Sequence, residues 1–272
     1  MAALRFMLRA APDQRVDLAA LVPSRLAGID RAAIERLPIA TTRATLAVGD
    51  LFRVRGEDAE SVVIEGGSAR FDRIGEGMEG GTLRVEGDVG ACAGRSMRGG
   101  RLEVGGSAGP FLGSGMRGGE IEVGRDAGDY LGGPLAGEVA GMAGGMLLVH
   151  GHAGVRAGDR LRRGVIVIEG DAGDAVGSRM IAGTLVVCGA AGMMAGTLMR
   201  RGTLVLGGPA ALPPSFVEAG APDPVFVRLL ARALGGLSRP AARLLLRRGL
   251  ARSTGDNATL GQGEILWPDS VA

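Results

Sequence analysis

The sequence predicts an all-β solenoid: a right-handed parallel β-helix of about eight coils with a 19-residue repeat, an N-terminal cap and a C-terminal helical segment. Three observations carry this expectation. A leading glycine returns at Gly81, Gly100, Gly119, Gly145, Gly164, Gly183 and Gly202, nineteen residues apart except across one insertion. After each glycine come two apolar residues two positions apart: Leu83 and Val85, Leu102 and Val104, Ile121 and Val123, Leu147 and Val149, Ile166 and Ile168, Leu185 and Val187, Leu204 and Leu206. That alternation has the period of a strand, and nineteen residues are too few for a strand plus a crossover helix. Third, 50 of the 272 residues are glycine, and the period accounts for many of them without disorder or a collagen repeat.

Each unit carries further inward positions. Small residues recur at Val89, Ala108, Ala127, Ala153, Ala172 and Ala191; Ala93, Leu112, Leu131, Ala157, Val176 and Ala195 follow them. Met97, Met116, Met142, Leu161, Met180 and Met199 close the units and read as interior filling. Glycines such as Gly87, Gly90 and Gly94 fall where the chain turns, at corners that exclude a Cβ. A right-handed winding follows from the handedness of parallel crossovers.

Along the chain, residues 1–60 lack the register and are expected to form an α/β cap over the open end of the solenoid. Ala3 to Ala10 reads as a strand, Leu18 to Leu21 as a turn, and Ser24 through Leu37 as a helix ended by Pro38. Thr45 through Val54 reads as two strands about a Gly49-Asp50 turn. Residues 61–208 are the solenoid, with Ser61 to Gly80 a degenerate first coil in which Ile64, Gly75 and Met78 precede Leu83, Gly94 and Met97 by nineteen while the strand itself has drifted. Seven extra residues between Gly132 and Met142 form either a tolerated surface loop or a binding face. Residues 209–272 are expected to hold a helical hairpin and a tail; VFVRLLARAL and RPAARLLLRRGLA flank Gly235-Gly236.

The outward strand positions change character along the stack. They are Thr82, Arg84, Arg101, Glu103, Glu120 and Glu122 in early coils, but Met146, Leu148, Val165, Val167, Thr184, Val186, Thr203 and Val205 in later ones. The row Leu148, Val167, Val186 and Val205 therefore needs a cover, either the leucines of the hairpin or another protein. The hairpin itself carries Arg228, Arg232, Arg239, Arg243, Arg247, Arg248 and Arg252 without an acid.

A formal charge of +2, with one Trp and one Tyr, gives no global nucleic-acid signature. No stretch approaches eighteen apolar residues, so neither a membrane span nor a signal peptide is expected. Cys92 and Cys188 lie five coils apart and out of register, too far for a disulfide, which fits a reducing cytoplasmic setting.

The segments LAVGDLFRV, the repeated GGxLxVxGDxGxxxGxxM, GMAGG, LPPSF, PVFVRLLARAL and LGQGEIL together resemble the C subunit of formylmethanofuran dehydrogenase, and especially its bacterial counterpart in the formyltransferase/hydrolase complex. The repeat alone is also similar to the glycine-rich C-terminal domain of glutamate synthase large subunits. The resemblance implies a non-catalytic structural subunit of a complex that moves a formyl group between tetrahydromethanopterin and a methanofuran-type carrier and releases formate. It implies partners of formyltransferase, amidohydrolase-like hydrolase and dehydrogenase-like type, with a metal in the hydrolase and no cofactor in this chain. The alternatives are the C subunit of a molybdenum or tungsten formylmethanofuran dehydrogenase and a glutamate-synthase-type structural domain.

The residues offer two candidates for chemistry. His150 and His152 share one strand face, with Glu169 beside the first and Asp126 and Asp171 beside the second; they either bind a metal and share protons or pair as a surface ladder. Arg98, Arg117, Arg162 and Arg200 occupy one repeat position, interrupted by Ala143 and Ile181. Guanidinium forks in a row suit a row of carboxylates. The family's carrier has a glutamate-containing tail, which makes this edge a candidate for carrier binding; otherwise it is solvated or paired with a partner.

Overall fold

A computed structural model describes residues 2–247 and 249–268; Arg248 of the expected hairpin lies outside them. The repeat does what its apolar pairs dictate. β8 (Thr82–Val85), β9 (Arg101–Val104), β10 (Arg117–Val123), β11 (Ala143–Val149), β12 (Arg163–Ile168), β13 (Thr184–Val187) and β14 (Arg201–Leu206) pair in parallel, each with the next. Leu83, Leu102, Ile121, Leu147, Ile166, Leu185 and Leu204 share one register row and are buried. A second ladder of single parallel bridges joins Val89, Ala108, Ala127, Ala153, Ala172 and Ala191 across the interior. Every coil therefore returns beside its predecessor twice, the winding of a β-helix-like solenoid.

The interior is filled from all sides. Met97, Met116, Met142, Leu161, Met180 and Met199 have no solvent exposure, so their side chains serve packing. Glycine is demanded where coils touch. A Cβ on Gly94, at φ +62°, would lie 2.3 Å from Ile121 Cδ1, and one on Gly100, at φ +79°, would lie 2.7 Å from the Gly81 carbonyl oxygen.

Both ends of the stack recruit chain from outside residues 61–208. At the N-terminal end come β1 (Ala3–Leu8), β2 (Val16–Asp17), α1 (Pro23–Leu26), α2 (Arg31–Glu35), β3 (Pro38–Ala40), β4 (Thr45–Ala47), α3 (Val48–Leu51), β5 (Phe52–Arg55), β6 (Asp58–Glu65) and β7 (Phe71–Asp72). β1 lies parallel to β6 and β2 parallel to β7, so the first residues form a further turn under the stack. β5 then pairs antiparallel on β1 and ends the sheet. At the other end come β15 (Val217–Glu218), α4 (Pro224–Leu234), α5 (Arg239–Leu245), β16 (Leu250–Gly255) and β17 (Gln262–Pro268). β17 runs parallel to β14, β16 adds antiparallel to β17, and β15 pairs antiparallel on β16 as the last strand of the sheet. The result is a mostly-β fold with few helices and one mostly parallel sheet of 13 strands.

Three expectations are corrected, and the drift of the first strand has a definite size. The helix over Ser24 to Leu37 is two short helices, α1 and α2, because Gly28 at φ +76° breaks it. The segment Thr45 to Val54 is not a hairpin: the Gly49-Asp50 site sits in the one-turn helix α3, where the Asp50 carboxylate accepts from the Ala47 N–H, and β4 pairs with β3 instead. In the first coil the expected drift of the strand amounts to two residues: Ile64 stacks on Val85 and Val62 on Leu83, an offset of 21. The tail holds a β-hairpin, β16 and β17, as well as helices.

Candidate functional site

The arginine edge is built by the backbone. The N–H groups of Arg98, Arg117, Arg162 and Arg200 donate to the carbonyls of Met78, Met97, Met142 and Met180 at 2.8, 2.7, 2.9 and 2.8 Å, the same bond at the same corner of four coils. Ala143 and Ile181 make it in the coils between, to Met116 and Leu161. All four arginines are exposed; Arg98 pairs with Glu79 at 3.2 Å. The insertion folds back beside this edge and bounds an open cleft of about 710 Å³ lined by Arg117, Glu138, Val139, Ala143, Arg162 and Arg163.

The one carboxylate in that cleft is already engaged. Glu138 accepts from Arg95 at 2.8 Å and from the Leu135 N–H at 2.9 Å, and Arg160 donates to its carbonyl at 2.8 Å. Burial opposes its charge, but Arg95 and the Leu135 N–H outweigh burial and hold Glu138 below the usual carboxylate range. These bonds pin the loop, and Arg117, Arg162 and Arg163 keep their positive charge toward the cleft.

β11 ends at Val149, so His150 and His152 lie in the turn beyond it and do not share the strand face expected from sequence; each bonds to neighbouring coils instead. His150 Nδ1 lies 2.9 Å from Glu169 Oε2 and its Nε2 lies 3.0 Å from Glu122 Oε1, so one ring links the coils on either side of its own. Burial lowers its affinity for a proton, but the two carboxylates more than compensate and raise its pKa above the ordinary histidine value. His152 Nδ1 accepts the Asp171 N–H at 2.9 Å. It belongs to a column in which the Asp88, Asp126 and Asp171 carboxylates accept the N–H of Ser107, His152 and Ala190, each at 2.8 Å. Among the described residues no group of three His, Cys, Asp or Glu side chains could hold a metal ion.

The apolar row lies under the hairpin. Leu148, Val167, Val186 and Val205 are buried with Leu266 in a cluster with Val227, Ala231 and Leu234 of α4 and Ala241, Leu244 and Leu245 of α5. The hairpin is also tied by a polar bond: Ser238, the N-cap of α5, donates its hydroxyl to Glu169 Oε1 at 2.7 Å.

These surfaces belong to a chain with a near full-length relative. It is 55% identical over 261 residues, 96% of its own length and 98% of the relative's, to the C subunit of the formyltransferase/hydrolase complex Fhc of Methylorubrum extorquens. The chain belongs to the Fhc C-subunit family. No family model matches it. This member of the Fhc family also superposes, with TM-score 0.93 and 48% identity over 97% of its length and 99% of the other's, on a chain in the crystal structure of the formyltransferase/hydrolase complex FhcABCD of Methylorubrum extorquens in complex with methylofuran.

Some polar groups of this Fhc-family chain escape sequence reasoning. Asp159 is buried and accepts from Ser178 Oγ at 2.6 Å and from Arg179 Nε and Nη2 at 2.8 and 2.6 Å. Its only signal is its repeat position, shared with Ser114 and Ser178, where most solenoid columns are apolar or glycine. Arg101 reaches Glu103, Glu120 and Glu122 on its own and the following strand at 2.6, 3.1 and 2.6 Å, a cluster on the wet half of the outer face. The 19-residue period already stacks Arg101 on Glu120 and Glu103 on Glu122, so spacing could have found this cluster.

Proposed function

We propose that this chain is the non-catalytic structural subunit of a formyltransferase/hydrolase complex that moves a formyl group between tetrahydromethanopterin and a methanofuran-type carrier and releases formate. The observation that carries this reading is the near full-length similarity to the Fhc protein of Methylorubrum extorquens, joined to histidines that hydrogen-bond to neighbouring coils. The same proposal includes cytoplasmic partners of hydrolase, formyltransferase and dehydrogenase-like type. It also includes the finer description of the fold as about eight right-handed coils, with residues 1–60 as cap, 61–208 as solenoid and 209–272 as hairpin and tail.

Within that reading, the edge of Arg98, Arg117, Arg162 and Arg200 is where an acidic carrier tail would lie. Arg117 and Arg162 face an open cleft and have no carboxylate partner among the described residues, which supports this assignment. Two measurements test the function. The purified chain alone should release no formate from formylated carrier and transfer no formyl group; activity that disappears in a His150→Ala, His152→Ala double variant would refute the structural role. A tagged chain co-expressed with the other subunits should recover all of them.

A further inference from the structure

Helix α4 is apolar on two sides. Val227, Ala231 and Leu234 face the solenoid. At 100° per residue, Val225, Phe226, Leu229 and Ala233 fall together on the opposite side, with Arg228 and Arg232 along one margin. That outer stripe is in solvent: Val225 and Leu229 are 62% exposed and Phe226 36%. The first cover, α4 on the solenoid, thus leaves a second apolar face uncovered.

Charge says what fits there. No Asp or Glu occurs from Pro224 to Gly255. Elsewhere the arginines Arg73, Arg95, Arg101 and Arg179 find carboxylates, whereas the exposed Arg228, Arg232, Arg239, Arg243 and Arg247 pair with none among the described residues. We propose that the outward face of α4 docks another subunit of the complex, one presenting an apolar patch bordered by carboxylates. This rests on the structural-subunit reading and names the surface that the role uses. An apolar centre with an arginine margin is the anatomy of a protein interface.

Two other occupants fit less well. A second copy of the chain meeting this face about a twofold axis would bring arginine against arginine. A membrane surface would gain only three large side chains from an 11-residue helix, while even one myristoyl chain gives marginal binding of about 10⁴ M⁻¹.

The test uses the full chain co-expressed with the other three subunits, with the tag on one of those. Two double variants are compared with the unaltered chain: Val225→Asp with Leu229→Asp, and Arg228→Glu with Arg232→Glu. Each should lower the recovered chain about tenfold or more while its melting temperature in isolation stays within a few degrees of the parent. If the aspartates unfold the chain, Phe226→Ser with Leu229→Ser carries the same test without added charge. Full recovery of folded variants beside a recovered parent overturns the docking surface and leaves the structural role standing. Failure to recover even the parent removes that role, and this inference with it. Binding of the parent to phosphatidylglycerol vesicles, or its dimerisation, lost in the variants while assembly persists, also overturns the proposal.

Discussion

At the scale of single residues, His150 links stability to pH. Burial lowers its pKa in the folded chain, but Glu122 and Glu169 outweigh burial and raise it above the unfolded value; Arg101 shares Glu122. The stabilisation is therefore fully present below the unfolded pKa, about 6.5, and is lost as pH rises through the raised folded value. A His150→Gln variant should melt below the parent in mildly acidic buffer, and the two curves should converge in alkaline buffer. A gap independent of pH would show that the imidazolium is not the source. Cys188 gives a second residue-scale outcome. Burial pushes its thiol up to about 12, and it packs beside the hairpin cluster. At pH 8 it should resist iodoacetamide in the native chain and react once the chain is unfolded, as read by mass spectrometry.

At the scale of elements, one repeat position is wet in three coils and dry in four: Arg84, Glu103 and Glu122, then Leu148, Val167, Val186 and Val205. The hairpin decides the difference. Burying a valine or leucine side chain is worth about 1.5–3 kcal/mol, so the four together rival the net stability of a whole domain, about 5–15 kcal/mol. Val186→Asp should therefore destabilise the chain by about 4 kcal/mol or more in denaturant melts, because it buries an unpaired charge. Arg84→Leu at the same repeat position should change stability by less than about 0.5 kcal/mol. Equal effects would mean that the hairpin does not cover Val186. The need for a cover was legible from Val167 and Val186 because strand alternation places them outward whatever lies above. The cap helices were not: Ile29, Ala33 and Leu37 share a helical face in sequence, yet Gly28 and local packing split the segment. β17 escaped because Gly263-Glu264-Ile265 repeats the leading motif once only, after 54 residues out of register. Of the candidate surfaces, repeat arithmetic reaches the arginine edge, since a column needs no side-chain geometry. Pairings such as Arg95 with Glu138 depend on how the insertion folds back, and no period encodes that.

At the scale of the whole molecule, the stack is quasi-one-dimensional, and each coil owes its stability mainly to the coils on either side. The two ends are different: β5 and β15 close the sheet antiparallel and prevent further parallel addition. Such a molecule should tolerate loss of a complete coil far better than loss of part of one. Removing residues 100–118 joins Gly99 to Gly119, so Ile121 would succeed Leu83 in the inward row and Ala127 would succeed Val89 in the bridge ladder. Gly119 would keep the positive φ and the close approach that Gly100 had. The hairpin docks on later strands and is untouched by the change. Removing only residues 100–109 takes away fewer residues but puts Leu112 where a strand must begin and leaves the coil unable to return to its neighbour. Circular dichroism with thermal melting should show the 19-residue deletion folded and cooperative, at a somewhat lower melting temperature from the lost interfaces. The shorter deletion should give no cooperative transition. If both deletions melt alike, the coil is not the unit of stability and the one-dimensional account of this solenoid fails.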